Sequence, residues 1–462
     1  MKFENNLAFK RKYCLSEWKP ETVKAAFDYA QDYKEFLSFA KTERLVVEWV
    51  ENRCKVLGVR GQNNMIVRVN RAKAVALAVT GKRPLKEGVR IIATHIDSPR
   101  IDLKALPLYE EEKLAFFKTQ YYGGIKPYQW TALPLALLGT IVKENGEVIK
   151  IAIGDQKDEP VLMITDLLPH LSEKQDEKKV KEAILGEDLN ALVGTQEVSY
   201  KKQETSNKLE GVKQNILSIL YEKYGVIEED LVSAELELVP VGEARDGGLD
   251  ESLVMGYGHD DRSCTYAAFR AFAEVKDPEY TTVLLLLDKE EIGSEGVTGA
   301  TSEFVKDFVA GLLSKENPKA TENDLRDCLA VSKAISGDVT GAFDPNYKEP
   351  SDPVTAVRMG AGVVVEKHTG GRGKALVSEA GAEYTAFIRH ILNKNKIIWQ
   401  PASGIGKVDY RGGGTLGMFF ARHNIDVIDM GVPLFNMHAP FEIAHKGDLY
   451  SCYQAYKAFL SS

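Results

Sequence analysis

The run Val283-Leu284-Leu285-Leu286-Leu287 and the segment after it, Asp288-Lys289-Glu290-Glu291-Ile292-Gly293-Ser294, constrain this chain more than any other stretch. An unbroken apolar run of this length predicts a strand buried on both faces, as in a sheet covered by helices on either side. In open α/β sheets, ligands bind outside the carboxyl ends of the strands, and Glu290 and Glu291 stand at such an end. Two adjacent like charges there call for a positive counterpart. A metal ion supplies one to either carboxylate and lets the other act as a base. Taken alone, the pair reads better as a solvated acidic turn, and the rest of the chain reverses that reading.

Length and charge narrow the classes. With 462 residues the chain exceeds a typical single core and predicts two domains. A net charge of −8 argues against a nucleic-acid partner, which needs a basic surface. The five cysteines are scattered and form no C-x-x-C pair, so neither a disulfide framework nor a thiolate zinc site is expected, and a reducing cytoplasm fits. Met1-Lys2-Phe3-Glu4-Asn5-Asn6 lacks the apolar core of a signal peptide. The apolar segment from Thr131 to Val142 falls short of the about 20 residues that cross a bilayer, so no membrane partner is expected.

Along the chain, Pro20 to Gly58 carries helical periodicity and Asn63 to Val79 alternates as strands do. Val89 to Thr94 forms a short strand that delivers His95-Ile96-Asp97-Ser98-Pro99. From about Leu108 to Leu231 the character changes to aromatic and glycine clusters and to two charged stretches, Ser172 to Glu182 and Tyr200 to Gln214. Strand–helix alternation resumes at Ala234 and continues to the end. The predicted fold is α/β: a mixed, largely parallel sheet flanked by helices, with an inserted, mostly β second domain. Residues 1–107 and 232–462 form the two parts of the first domain, and residues 108–231 the insert. Gly370-Gly371-Arg372-Gly373-Lys374 lacks the spacing of a phosphate loop.

Several candidate ligands follow short apolar runs or lie among glycines. They are His95 and Asp97, His259 with Asp260 and Asp261, Glu290 and Glu291, Asp338 in Ile335-Ser336-Gly337-Asp338, and His438 in Asn436-Met437-His438-Ala439. Each has an ordinary reading: His95 a strand-end histidine, Asp260-Asp261 a helix cap, Asp338 a turn residue, His438 a loop residue. Together they make a set of imidazoles and carboxylates without thiolates, which suits zinc, manganese or cobalt in a catalytic site.

Thr94-His95-Ile96-Asp97-Ser98-Pro99, Asp260-Asp261, Glu290-Glu291-Ile292-Gly293-Ser294, Asp344-Pro345-Asn346-Tyr347 and Met437-His438-Ala439 resemble, in that order, the motifs of the aspartyl aminopeptidase family of co-catalytic metallopeptidases. The resemblance covers nearly the whole chain. It implies a zinc-peptidase-like fold and a metal-dependent aminopeptidase that removes the N-terminal residue from peptides with a free N-terminus. It implies two divalent ions per subunit. Asp260 bridges them, His95 and Asp338 complete one, and Glu291 and His438 complete the other, while Glu290 is the general base and Asp97 orients His95. The match also allows Asp261 as the bridge. His170 resembles a family histidine that reaches a neighbouring subunit's site, and a homo-oligomer, a dodecamer by the family pattern, is implied. Gly413, Gly414 and Thr415 are expected to let backbone approach substrate.

The chain departs from the family in three places. Gly341 and Asp344 stand where the family has histidines that are not ligands. The lysine expected to face an acidic substrate side chain falls on Glu366, with Lys367 one place later, so a preference for Asp or Glu does not carry over. The same ligands would also serve a binuclear-metal deacylase or amidohydrolase acting on non-peptide amides. A non-catalytic assembly or cargo protein would show damaged ligands, and none of the implied positions is damaged.

Overall fold

The helix Pro20–Phe39 begins with proline and carries Glu21 in its first turn. Proline loses nothing there, because the first N–H groups of a helix have no partner within it, and the acid meets the positive end of the helix dipole. Tyr29, Tyr33, Phe36 and Leu37 recur on one buried face. A second helix, Glu43–Val59, restarts after Thr42, whose hydroxyl accepts the Leu45 N–H at 3.3 Å. The computed structural model describes residues 7–59, 65–198, 211–372, 378–410 and 412–462; Lys374 and most of the stretch from Tyr200 to Gln214 lie outside them.

The chain divides into two units, one of residues 1–98, 243–437 and 442–462, the other of residues 99–242 and 438–441. In the first, an eight-stranded mixed sheet runs in the order Met65–Asn70, Ala74–Val79, Thr282–Leu287, Arg90–His95, Lys333–Ser336, Asp426–Gly431, Val363–Glu366, Trp399–Ala402. Thr282–Leu287, Arg90–His95, Lys333–Ser336 and Asp426–Gly431 are parallel to one another. Leu284 and Leu286 join Ile92, Ile335, Tyr33, Phe36 and Tyr456 in one core cluster, while Val283, Leu285 and Leu287 join Ile91, Val427, Phe308 and Leu312 in another. Successive side chains of a strand point to opposite faces. Apolar packing on both faces therefore demands the unbroken run seen in the sequence. Truncating one of these side chains, as in Leu285→Ala, would cost about 2–5 kcal/mol. A five-stranded sheet, Arg245–Gly247, Leu253–Gly256, Glu442–His445, Pro433–Phe435 and Thr340–Gly341, completes this unit's strands.

The second unit holds a seven-stranded sheet with antiparallel pairing throughout. Ala234–Pro240 pairs with both Arg100–Glu111 and Pro134–Val142, so the pairing closes on itself. Closure leaves fewer open edges for unwanted pairing. Gly139 makes it possible, since a Cβ there would lie 2.0 Å from the Glu235 carbonyl oxygen. The hairpin from Arg100–Glu111 to Leu114–Tyr122 turns through Glu112 and Lys113, both at positive φ as a tight two-residue turn requires. Among the described residues no helix is long and apolar enough to cross a membrane.

Candidate metal centre

Three neighbouring parallel strands end on the same side. Leu287 lies opposite His95, and Ser336 lies opposite Ala93. The residues just beyond, Glu290 and Glu291 on one side and Asp338 on the other, therefore arrive beside His95. Glu290–Ile292 is a short helical turn bounded by Lys289 and Gly293, both at positive φ. Asp260 and Asp261 open the helix His259–Ala273 through a cis peptide bond. Gly258 precedes them at φ 80°, where a Cβ would collide with the Arg262 guanidinium. The Asp260 N–H donates to Glu442 Oε2 at 3.1 Å, and the Ser98 hydroxyl donates to the Asp260 carbonyl.

His95 Nε2 lies 3.1 Å from Asp260 Oδ1, 3.8 Å from Asp338 Oδ1 and 4.0 Å from Glu290 Oε2. Its Nδ1 lies 3.0 Å from the Asp97 carbonyl and 3.5 Å from Asp97 Oδ1. Ligand atoms of His95, Asp260 and Glu291 all fall within 4.8 Å of one another, and so do those of His95, Asp261 and Asp338. His95, Asp97, Asp260 and Asp261 are buried. Both Asp261 oxygens are buried with no hydrogen-bond partner among the described residues.

The electrostatics are those of an anion-rich hole. Burial pushes the Glu290 carboxyl up to about 8; Asp338, Asp97 and Asp260 add repulsion, and His95 opposes it. Burial alone would lower the His95 imidazole, yet the Asp260, Asp338 and Asp97 carboxylates prevail and hold it well above its usual value. Carboxylates crowded in this way around one imidazole, with orphaned Asp261 oxygens among them, fit a hard or borderline divalent cation.

The other expected residues fall elsewhere. His438 belongs to the second unit, at φ 67°, with Nδ1 2.8 Å from the Gly124 carbonyl. His170 is exposed in the same unit, in the turn Pro169–Leu171. Glu366 ends the strand Val363–Glu366 and is buried, whereas the Lys367 ammonium is 3.5 Å from Glu379. Gly413 is exposed, with Gly414 and Thr415 half-buried beside it. His259 stays out of the metal groups: it is buried, its Nδ1 is 2.8 Å from the Tyr33 hydroxyl, and burial lowers it to about 3. Sequence reasoning passed over Asp429, an acid in the middle of the strand Asp426–Gly431, and Glu442, four residues past His438.

Residues 46–460 match the family model described as aminopeptidase I zinc metalloprotease (M18). A probable M18 family aminopeptidase 1 of Clostridium acetobutylicum is 43% identical over 99% of this chain and 100% of that one. The crystal structure of an M18 aminopeptidase from Thermotoga maritima superposes with a TM-score of 0.92 at 41% identity, covering 98% of this chain and 100% of that one. The mApe1 dodecamer of S. cerevisiae shares the fold at 19% identity and a TM-score of 0.73, covering 94% of this chain and 96% of that one. The chain is a metal-dependent aminopeptidase and belongs to the aminopeptidase I zinc metalloprotease family, M18.

Proposed function

We infer that this aminopeptidase is a two-metal hydrolase with Glu290 as its general base. Asp260 would be shared by two divalent ions, with His95 and Asp338 holding one and Glu291 and His438 the other. Zinc is the expected ion, with manganese and cobalt as alternatives. When bound, the ions acidify a shared water and polarise the scissile carbonyl. Glu290 would remain free of the ions, take a proton from the attacking water and return it to the leaving amine. Gly413, Gly414 and Thr415 let the peptide backbone come close. The observation that carries this reading is the convergence of strand-end carboxylates around His95. Metal analysis of the purified protein tests it. Two equivalents of divalent cation per chain are expected, and one equivalent with full turnover contradicts it.

Residues 108–231 serve, on this reading, as an oligomerisation and lid insert between the catalytic parts 1–107 and 232–462. Leu167, Leu168 and Leu171, which flank His170 in the chain, are exposed, and clustered exposed apolar side chains mark interaction surfaces. We assign the insert to a homo-oligomer of the dodecameric kind, with His170 serving a neighbouring copy. Light scattering checks this, and a monomer at micromolar concentration contradicts it. The cysteines are free and buried, in keeping with a reducing cytoplasm.

A further inference from the structure

Glu366 and Asp429 lie directly opposite one another on antiparallel strands, Val363–Glu366 and Asp426–Gly431. Glu366 is 8% exposed and Asp429 is 5% exposed. Opposed residues of such a pair share a face of the sheet, and like charges there repel. The nearest cation in sequence, Lys367, turns to Glu379 at 3.5 Å instead. Asp429 Oδ1 is buried and has no hydrogen-bond partner among the described residues. Asp429 therefore carries one buried acceptor without a donor, opposite a second buried acid.

Its place in the fold says where that donor comes from. Asp429 lies opposite Ser336 on a parallel strand, and Asp338 follows Ser336 by two residues. Both acids feel the Asp338 charge. Asp429 thus lies one strand spacing, ~4.8 Å, to the side of the strand that leads to the proposed ligand Asp338, and Glu366 lies one spacing further out. The surroundings are kept small. A Cβ at Gly417 would lie 3.2 Å from both Asp429 oxygens, whereas one at Gly404 or Gly413 would meet nothing within 4 Å. Burial, then the Asp429 charge, pushes the Glu366 carboxyl up to about 8 against hydrogen bonds from the Gly404 backbone and Thr340. Burial likewise pushes Asp429 up to about 7.

We propose that Glu366 and Asp429 form the floor of the pocket for the side chain of the substrate's N-terminal residue and select a cationic one, lysine or arginine. This rests on the metal-centre reading above. A peptide whose scissile carbonyl lies at the metal ligands presents its first side chain within about two strand spacings, ~10 Å, of both acids. An ammonium or guanidinium there satisfies the orphaned oxygen and cancels the repulsion. A leucine side chain would leave the Asp429 oxygen without a donor and the repulsion in place, and an acidic one would add a third like charge.

The test is the ratio of kcat/KM values on aminoacyl anilides bearing lysine, arginine, leucine or glutamate, measured with zinc, manganese or cobalt. A ratio is independent of the folded fraction, so a poorly folding variant remains informative. Wild type is expected to prefer lysine or arginine to leucine by about tenfold or more. Glu366→Gln and Asp429→Asn are each expected to lower the lysine-to-leucine ratio by about 30-fold, the scale for removing one partner of a desolvated charge pair. A ratio unchanged in both variants overturns the proposal, whether the pair serves the α-amine, shares one proton or only supports the fold. Wild-type preference for leucine or glutamate overturns it as well, and leaves the metal centre standing. Failure to cleave any of these anilides with any of the three metals overturns the metal-centre reading and the pocket with it.

Discussion

The Asp97 carboxylate accepts the backbone N–H of Glu290 at 3.2 Å, and its other oxygen accepts that of the neighbouring Glu291, also at 3.2 Å. Asp97 is buried, two residues past His95. It thus ties the end of one parallel strand to the turn that follows the next. The aspartate contributes to the site by holding two other carboxylates at their posts as well as by lying near the His95 ring.

Asp97→Asn replaces one acceptor oxygen with an N–H donor facing another N–H. The turn carrying Glu290 and Glu291 should shift, with a loss of about 10- to 100-fold in metal affinity or kcat. Competitive chelation and steady-state kinetics on the variant check this. Unchanged values in both would mean that the clamp has no bearing on function.

Lys73 is a buried ammonium 2.9 Å from Glu43 and 3.8 Å from Asp288. Burial, then the Glu43 and Asp97 charges, pushes the Asp288 carboxyl from 3.8 up to about 6. Because its folded value lies above its unfolded one, the stability linked to Asp288 is full below pH 3.8 and is lost as pH rises through about 6. Lys73→Met removes the charge that opposes this rise. We expect a loss of about 3–5 kcal/mol, larger at about pH 8 than at pH 5, in denaturant titrations. A loss independent of pH would contradict the electrostatic account.

His438 Nδ1 faces the Gly124 carbonyl at 2.8 Å. A proton held on Nδ1 leaves the lone pair on Nε2, the tautomer that suits a ligand. His438→Ala should reduce bound metal to about one equivalent per chain. Two full equivalents by elemental analysis would remove His438 from the ligand set.

Stripping the metals should lower the thermal midpoint, because the crowded carboxylates lose their counter-charge. Restoring free zinc at about 100 times its dissociation constant should return about 2.7 kcal/mol. Calorimetry with and without chelator measures it. Identical midpoints would show that the cluster around His95 binds no cation.

Much of this site is legible in the sequence because strand ends are local signals. An apolar run followed by acids gives Glu290 and Glu291, and the same logic gives His95 and Asp338. The choice between Asp260 and Asp261 is not legible, since they are adjacent and each joins a group with His95 in the fold. Asp429 escapes because one acid between Ile428 and Met430 leaves the strand pattern intact, and its proposed role depends on its cross-strand neighbour Glu366. The closure of the second unit's sheet is hidden for the same reason. Alternation marks Ala234–Pro240 as a strand, but its partners Arg100–Glu111 and Pro134–Val142 are fixed by non-local pairing.

The central claim is that Glu290 works as a base beside two cations without binding either. Measuring metal content and turnover on the same preparation of Glu290→Gln tests it most directly. The account predicts both metals retained and kcat reduced by about 10²- to 10⁴-fold. Turnover within a few-fold of wild type, or loss of a metal equivalent, would contradict it.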